Sequence, residues 1–218
     1  MFIDRLISGE SVALMQVGVL IFSVCCHEFA HAQMALWQGD STAADEGHLT
    51  LNPLKQMGWL SVVMLLLAGI TWGQVPVNPL RMRRRYSEAL VAFAGPLMNI
   101  LLFFTFCLLA FLVILKSSVS LDLAIDSKAV FLFKIGAVLN VVLFIFNMLP
   151  VPPLDGWTVF SYLFPKIHDI NPEVRNGAIV GLFFIAFFSF QYLYMIGALL
   201  TNFTLRVFCL PLTLLGAY

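Results

Sequence analysis

The chain has 218 residues, of which 61% are hydrophobic and 11% charged, with 21 phenylalanines and a formal net charge of zero. A soluble domain carries about 25% charged residues, so this composition excludes an ordinary water-soluble globule and points to an all-α polytopic membrane protein, while the charge balance gives no footing for a nucleic-acid partner. The four cysteines (Cys25, Cys26, Cys107, Cys209) lie in apolar runs without framework spacing, as expected of buried thiols rather than disulfides.

A bilayer-spanning helix needs about 20 apolar residues, and five apolar stretches are candidates. The first covers residues 11–37; it ends in no small-residue cleavage site and is not expected to be a removable signal peptide. The second, residues 57–73, is shorter and carries glycines near both ends. Its flanks, "HLTLNPL" (48–54) and "QVPVNPL" (74–80), each contain Asn-Pro, which disfavours helix at the asparagine. Their alternating, β-branched character predicts short flanking β-strands. The third stretch covers 87–115 and the fourth 128–149. The fifth starts near Gly177 and is either one long helix or two pieces broken near "TNFTLR" (201–206). The total is about five to six membrane segments in a single domain, 1–218, because the longest polar stretch, 39–56, is too short for a core of its own.

The first apolar stretch contains "CCHEFAHAQM" (25–34). His27, Glu28 and His31 spell H-E-x-x-H, and residues four apart share one helix face. The two imidazoles can therefore grip one zinc ion, with Glu28 beside them as general base. Burying a carboxylate in a spanning helix costs several kcal/mol and marks a functional site by default. A catalytic zinc site usually has three protein ligands. His48, His168, Asp122 and Asp126 lie in polar connections, whereas Asp155 ends "NMLPVPPLDG" (147–156), where three prolines forbid ordinary helix. Non-helical backbone at membrane depth is tolerated where it lines a cavity, which makes Asp155 the expected third ligand. Cys25 and Cys26 project well away from the histidine face and read as packing residues. Within the third stretch, "AGPLMN" (94–99) brings Gly95 and Pro96, which loosen backbone bonding or allow close helix approach. Asn99, like Asn147, is a polar group at membrane depth, whose commonest use is an interhelical hydrogen bond.

Taken together, "HEFAH", "GPLMN" and "NMLPVPPLDG" resemble the site-2 protease family of zinc-dependent intramembrane metalloproteases, in its compact branch without PDZ or CBS modules. Asn147, Pro150, Pro152, Leu154, Asp155 and Gly156 match the family's second signature throughout. The resemblance implies one zinc ion per chain on His27, His31 and Asp155, with Glu28 activating water. It also implies that Asn147 polarises the scissile carbonyl and that a transmembrane protein or peptide is the substrate, as in regulated intramembrane proteolysis. Asn99, Gly95 and Pro96 are expected to support substrate or site. Two other readings compete, a metal-permeation protein and a catalytically silent scaffold. The first predicts an acidic ladder across the bilayer, which the sequence does not offer. The second sits poorly with intact His27, Glu28, His31 and Asp155.

Topology follows from parity. If the histidine pair and Asp155 meet at one depth near the same-side ends of their helices, an odd number of crossings separates them. One of the two intervening stretches must then fail to cross, and the shorter, residues 57–73, is expected to be re-entrant. Lys55, the four arginines of "RMRRR" (81–85), Lys166 and Arg175 then share one side, seven cations against Arg5, Lys116 and Lys128 on the other. The positive-inside rule makes the richer side cytoplasmic. The expected location is the cell membrane, multi-pass, with the active site toward the cytoplasm and the arginine run against anionic lipid.

Overall fold

A computed structural model describes residues 11–116, 127–166 and 171–214. The elements in chain order are α1 (Ser11–Gln38), α2 (Thr42–Asp45), α3 (Pro53–Gln56), α4 (Gly58–Ala68), a 3-10 turn (Pro79–Arg81), α5 (Ser87–Lys116), α6 (Lys128–Asn147), α7 (Asp155–Leu163) and α8 (Pro172–Leu214). Four helical stretches are long and apolar enough to cross a membrane: Val12–Gln38, Ser87–Lys116, Lys128–Asn147 and Ser189–Pro211. With α4 they make five apolar segments. The last runs through 201–206 as one continuous helix. Asp122, Asp126 and His168 lie outside the described residues.

Helix α5 separates a packed apolar face from an exposed apolar face rather than a polar face from an apolar one. On α5, Leu97, Leu101, Phe104, Leu108, Leu112 and Leu115 are exposed, spaced three or four apart along one stripe. Leu102, Phe103, Phe106, Cys107, Ala110 and Ile114 fill the opposite face. That face packs on α1 and α6, and α8 covers α6. The core is therefore a bundle of α1, α5 and α6 with α8 against it, in which Cys26, Phe106, Ala137 and, from α8, Leu205 belong to one cluster. An exposed apolar stripe of this length on α5 suits hydrocarbon, not water. All four cysteines are buried and free, as expected.

The second apolar segment does not cross. Its helix α4 has 11 residues, about 16 Å of rise against roughly 30 Å of hydrocarbon. Its ends meet, since the Gln74 amide donates to the Gln56 carbonyl at 2.9 Å. Between them the Ser61 hydroxyl donates to the Trp72 carbonyl at 2.7 Å and accepts from the Trp72 amide at 2.9 Å. The segment enters and leaves beside itself. Met57 and Leu65 anchor it to Val17, Val24 and Cys25 on α1.

The expected flanking strands are absent: no described residue is in a strand. Each Asn-Pro pair instead starts a helical turn. Asn52 and Asn78 are extended at the N-cap, and their side chains accept from the amides of Leu54 and Leu80, with proline at the first helical position. This is the pairing that a helix start favours. The carbonyls of His48 and Thr50, which a strand partner would have used, are taken by the Gln56 side chain.

Candidate metal centre

Apolar helices with few polar side chains leave each buried polar group dependent on a named partner, and the site can be built from those partners. His27 and His31 lie one turn apart on α1, both buried. The His31 Nδ1 is 2.7 Å from the Val91 carbonyl on α5. A carbonyl only accepts, so this nitrogen carries a ring proton, and in the neutral imidazole Nε2 presents a lone pair. The His27 Nδ1 is 2.7 Å from the Asn99 side-chain oxygen, also on α5. Its Nε2 likewise points inward, 3.0 Å from that of His31.

Asp155 completes the group. Pro150, Pro152 and Pro153 stop α6 from continuing, and the chain turns through Val151 and Leu154, whose amides bond back to Leu149 and Val151. Helix α7 restarts at Asp155 and packs along α5. The Asp155 Oδ2 thereby lies 3.1 Å from the His27 Nε2 and 3.4 Å from the His31 Nε2. That oxygen is buried, and the two ring nitrogens are the polar atoms that face it.

With both imidazoles neutral, three acceptor lone pairs face one another in a water-poor interior, and a positive charge among them relieves the repulsion. Zinc bound tetrahedrally at about 2.0–2.1 Å requires ligand atoms roughly 3.3 Å apart. The observed separations fit that requirement. Two imidazoles and a carboxylate are also a donor set that zinc accepts in catalytic sites, and each imidazole already donates its other nitrogen to a fixed acceptor, as metal-bound histidines do.

Glycine governs the approach of two neighbours. A Cβ on Gly95 would run into the Nε2 atoms of both histidines, and one on Gly73 into the Glu28 carboxylate. Of the two uses considered for the Gly-Pro pair, the geometry shows close approach: α5 passes the two histidines at Gly95, with Pro96 buried beside it. Glu28 itself is buried. One side-chain ligand atom from each of His27, Glu28 and His31 lies within 4.8 Å of the others, and the returning chain after α4 lies over the carboxylate at Gly73.

Other expected residues fall elsewhere. The Asn147 side chain donates to the Leu143 carbonyl of its own helix at 3.0 Å, and no described bond joins it to the cluster. His48 does not join the three-atom group; its amide bonds to Ala43, and its Nδ1 is buried without a partner. Cys25 and Cys26 pack in the two apolar clusters.

Two supporting residues escaped the sequence reading. Asn140 on α6, fully buried, accepts from the Asn99 amide at 2.9 Å; its signal, an asparagine inside an apolar run, was the same one that drew attention to Asn99. Asp40, also fully buried, accepts from the Thr42 amide and hydroxyl and from the Asn78 amide. It ties the end of α1 to the exit of the re-entrant segment. Burial works to raise its carboxyl, but these bonds and nearby Arg81 hold it below the ordinary value of 3.8. Nothing in its polar neighbourhood distinguishes Asp40 in the sequence.

Residues 113–190 match peptidase family M50. YwhC of Bacillus subtilis strain 168, named as a candidate zinc metalloprotease, is 39% identical over 153 residues, 68% of this chain and 68% of its own length. Rip2 of Mycolicibacterium smegmatis, named in the same way, is 33% identical over 182 residues, 79% of this chain and 63% of its own. Rip2 of Mycobacterium tuberculosis H37Rv is 30% identical over 182 residues, 78% of this chain and 66% of its own. The chain therefore spans about two thirds of the length of these curated relatives. No solved structure matches it. Residues 113–190 include Asp155 but stop short of the histidine pair, so the relatives, together with the ligand cluster that joins the two halves, carry the assignment: the chain belongs to peptidase family M50, the site-2 proteases, and is a zinc metalloprotease of the membrane.

Proposed function

We propose that the chain hydrolyses a peptide bond within or near a transmembrane segment of a membrane-protein substrate, with one zinc ion held by His27, His31 and Asp155. The observation that carries this reading is the convergence of three lone-pair atoms on one point beside the buried Glu28. Zinc bound there would supply Lewis acidity toward the scissile carbonyl and lower the pKa of a water.

The protein's own part is proton handling and alignment. Glu28 takes a proton from the attacking water and passes it to the leaving amine nitrogen. A substrate helix hides its carbonyls in intrahelical bonds, so it must unwind before attack. The returning chain at Gly73, lying over Glu28, offers main-chain groups along which an unwound strand aligns. Asn147 is assigned to the scissile carbonyl. It reaches that carbonyl by exchanging its bond to Leu143 for one to substrate. Gly95 and Pro96 bring α5 close to the ligands. The cationic face of Lys55 and Arg81–Arg85 lies toward the cytoplasm, and the zinc lies near that face.

Purified protein, a model transmembrane substrate, zinc and a chelator test the reading. Glu28→Gln is expected to keep its zinc and to lose about 10²–10⁴-fold in cleavage rate. Cleavage at the wild-type rate by that variant, or undiminished cleavage in the chelator, would defeat it. Loss of zinc from Glu28→Gln would make Glu28 a ligand instead of a base.

A further inference from the structure

The two histidines obtain the same tautomer by different means. His31 donates directly to the Val91 carbonyl, which can only accept. His27 faces a side-chain amide, and an amide has an accepting end and a donating end. If Asn99 turned its nitrogen toward His27, the ring proton would be driven to Nε2, into the cluster. Asn99 is fully buried, so no water corrects that error.

The orientation of Asn99 is decided two residues further away. The Asn140 Nδ2 lies 2.9 Å from the Gly136 carbonyl of its own helix and 2.9 Å from the Ser23 hydroxyl on α1. The Gly136 carbonyl can only accept, so Asn140 must aim its nitrogen there. Its oxygen then faces Asn99 at 2.9 Å and accepts only from the Asn99 nitrogen. The Asn99 oxygen is left for His27 at 2.7 Å. The chain of polarity runs from a backbone carbonyl on α6, through two buried amides, to a ring nitrogen on α1. Each link is a matter of donor and acceptor chemistry, and each member is buried.

We propose that Asn140 is a positioning residue, which acts through Asn99 to hold the His27 proton on Nδ1 and leave Nε2 open for the metal. The proposal rests on the metal role of His27 given above. Ser23 is secondary, because the Gly136 carbonyl alone suffices to orient Asn140. Removal of a partner that orients a metal ligand typically lowers metal affinity 10–100-fold.

The test uses the full chain in detergent micelles, with zinc affinity measured by chelator competition and histidine ring protonation by ¹⁵N NMR. Asn140→Leu is expected to bind zinc 10–100-fold more weakly while its zinc-free thermal transition stays near that of Ser23→Ala. Asn140→Asp keeps an acceptor for Asn99, and its neutral carboxyl donates to Gly136, so zinc affinity stays within about threefold of wild type. Ser23→Ala behaves in the same way. In zinc-depleted wild type, His27 carries its proton on Nδ1. Wild-type zinc affinity in Asn140→Leu, a loss in Asn140→Asp as large as in Asn140→Leu, or a wild-type His27 ring protonated on Nε2 alone would each overturn the proposal. If Asn140→Leu does not fold, the other two variants and the wild-type ring still decide. If wild type takes up no zinc, the proteolytic reading fails, and the ring measurement, made without zinc, still judges the relay.

Discussion

Two regions meet at the candidate site, and they are held in different ways. The bundle of α1, α5 and α6 is fixed by continuous apolar packing, with its few polar groups bonded across helices at Asn99, Asn140 and Val91. The re-entrant segment and its flanks have only the small contact around Met57 and Leu65 and are otherwise pinned by single polar staples at Gln56, Ser61 and Asp40. The bundle therefore gives the histidine pair a densely packed frame, while the segment over Glu28 is held by fewer apolar contacts. Rigid ligands beside a more loosely attached covering chain suit an enzyme that must bind metal permanently and admit an extended substrate transiently.

The comparison breaks most directly at Gly95. Gly95→Ala puts a methyl group against both Nε2 atoms, where packing leaves no room, at a cost of about 1–3 kcal/mol. That corresponds to roughly a tenfold to hundredfold loss of zinc affinity. Wild-type zinc content and affinity in Gly95→Ala would show that the bundle is not the rigid half. Gln56→Leu attacks the other region. It removes two donors from the carbonyls of His48 and Thr50, for roughly 2 kcal/mol. Hydrogen exchange in 57–73 should accelerate while zinc affinity stays unchanged. A matched loss of zinc would mean that the two regions are one cooperative unit. The smallest effect is expected at Asp40. Its carboxyl is held below the ordinary 3.8, so its ionised form stabilises the fold above that pH, and the contribution is lost as pH falls through its own lower value. Asp40→Asn should therefore lower the melting temperature at pH 7 and narrow the gap to wild type near pH 3. A gap that does not depend on pH would show that charge plays no part in the staple.

The amino-acid order alone determined the class of solvent, the apolar segments, the histidine pair and the helix-breaking turn that carries Asp155, because each is written in local spacing: about 20 apolar residues, four residues between imidazoles, three prolines within four positions. It also pointed to 57–73 as the segment that fails to cross, through a count of crossings. It misjudged the Asn-Pro flanks, since an extended asparagine is common to a strand and to an N-cap, and only the side-chain bonds of Asn52 and Asn78 separate the two. The tertiary structure alone decided that Asn99 serves His27, while it brought Asp155, the sequence's choice over His48, to the histidines. It also brought Asn140 and Asp40, distant in sequence from what they hold, to their partners. Hydrogen-bond direction between helices depends on rotation and depth of packing, and neither quantity has a periodicity that a linear sequence can display.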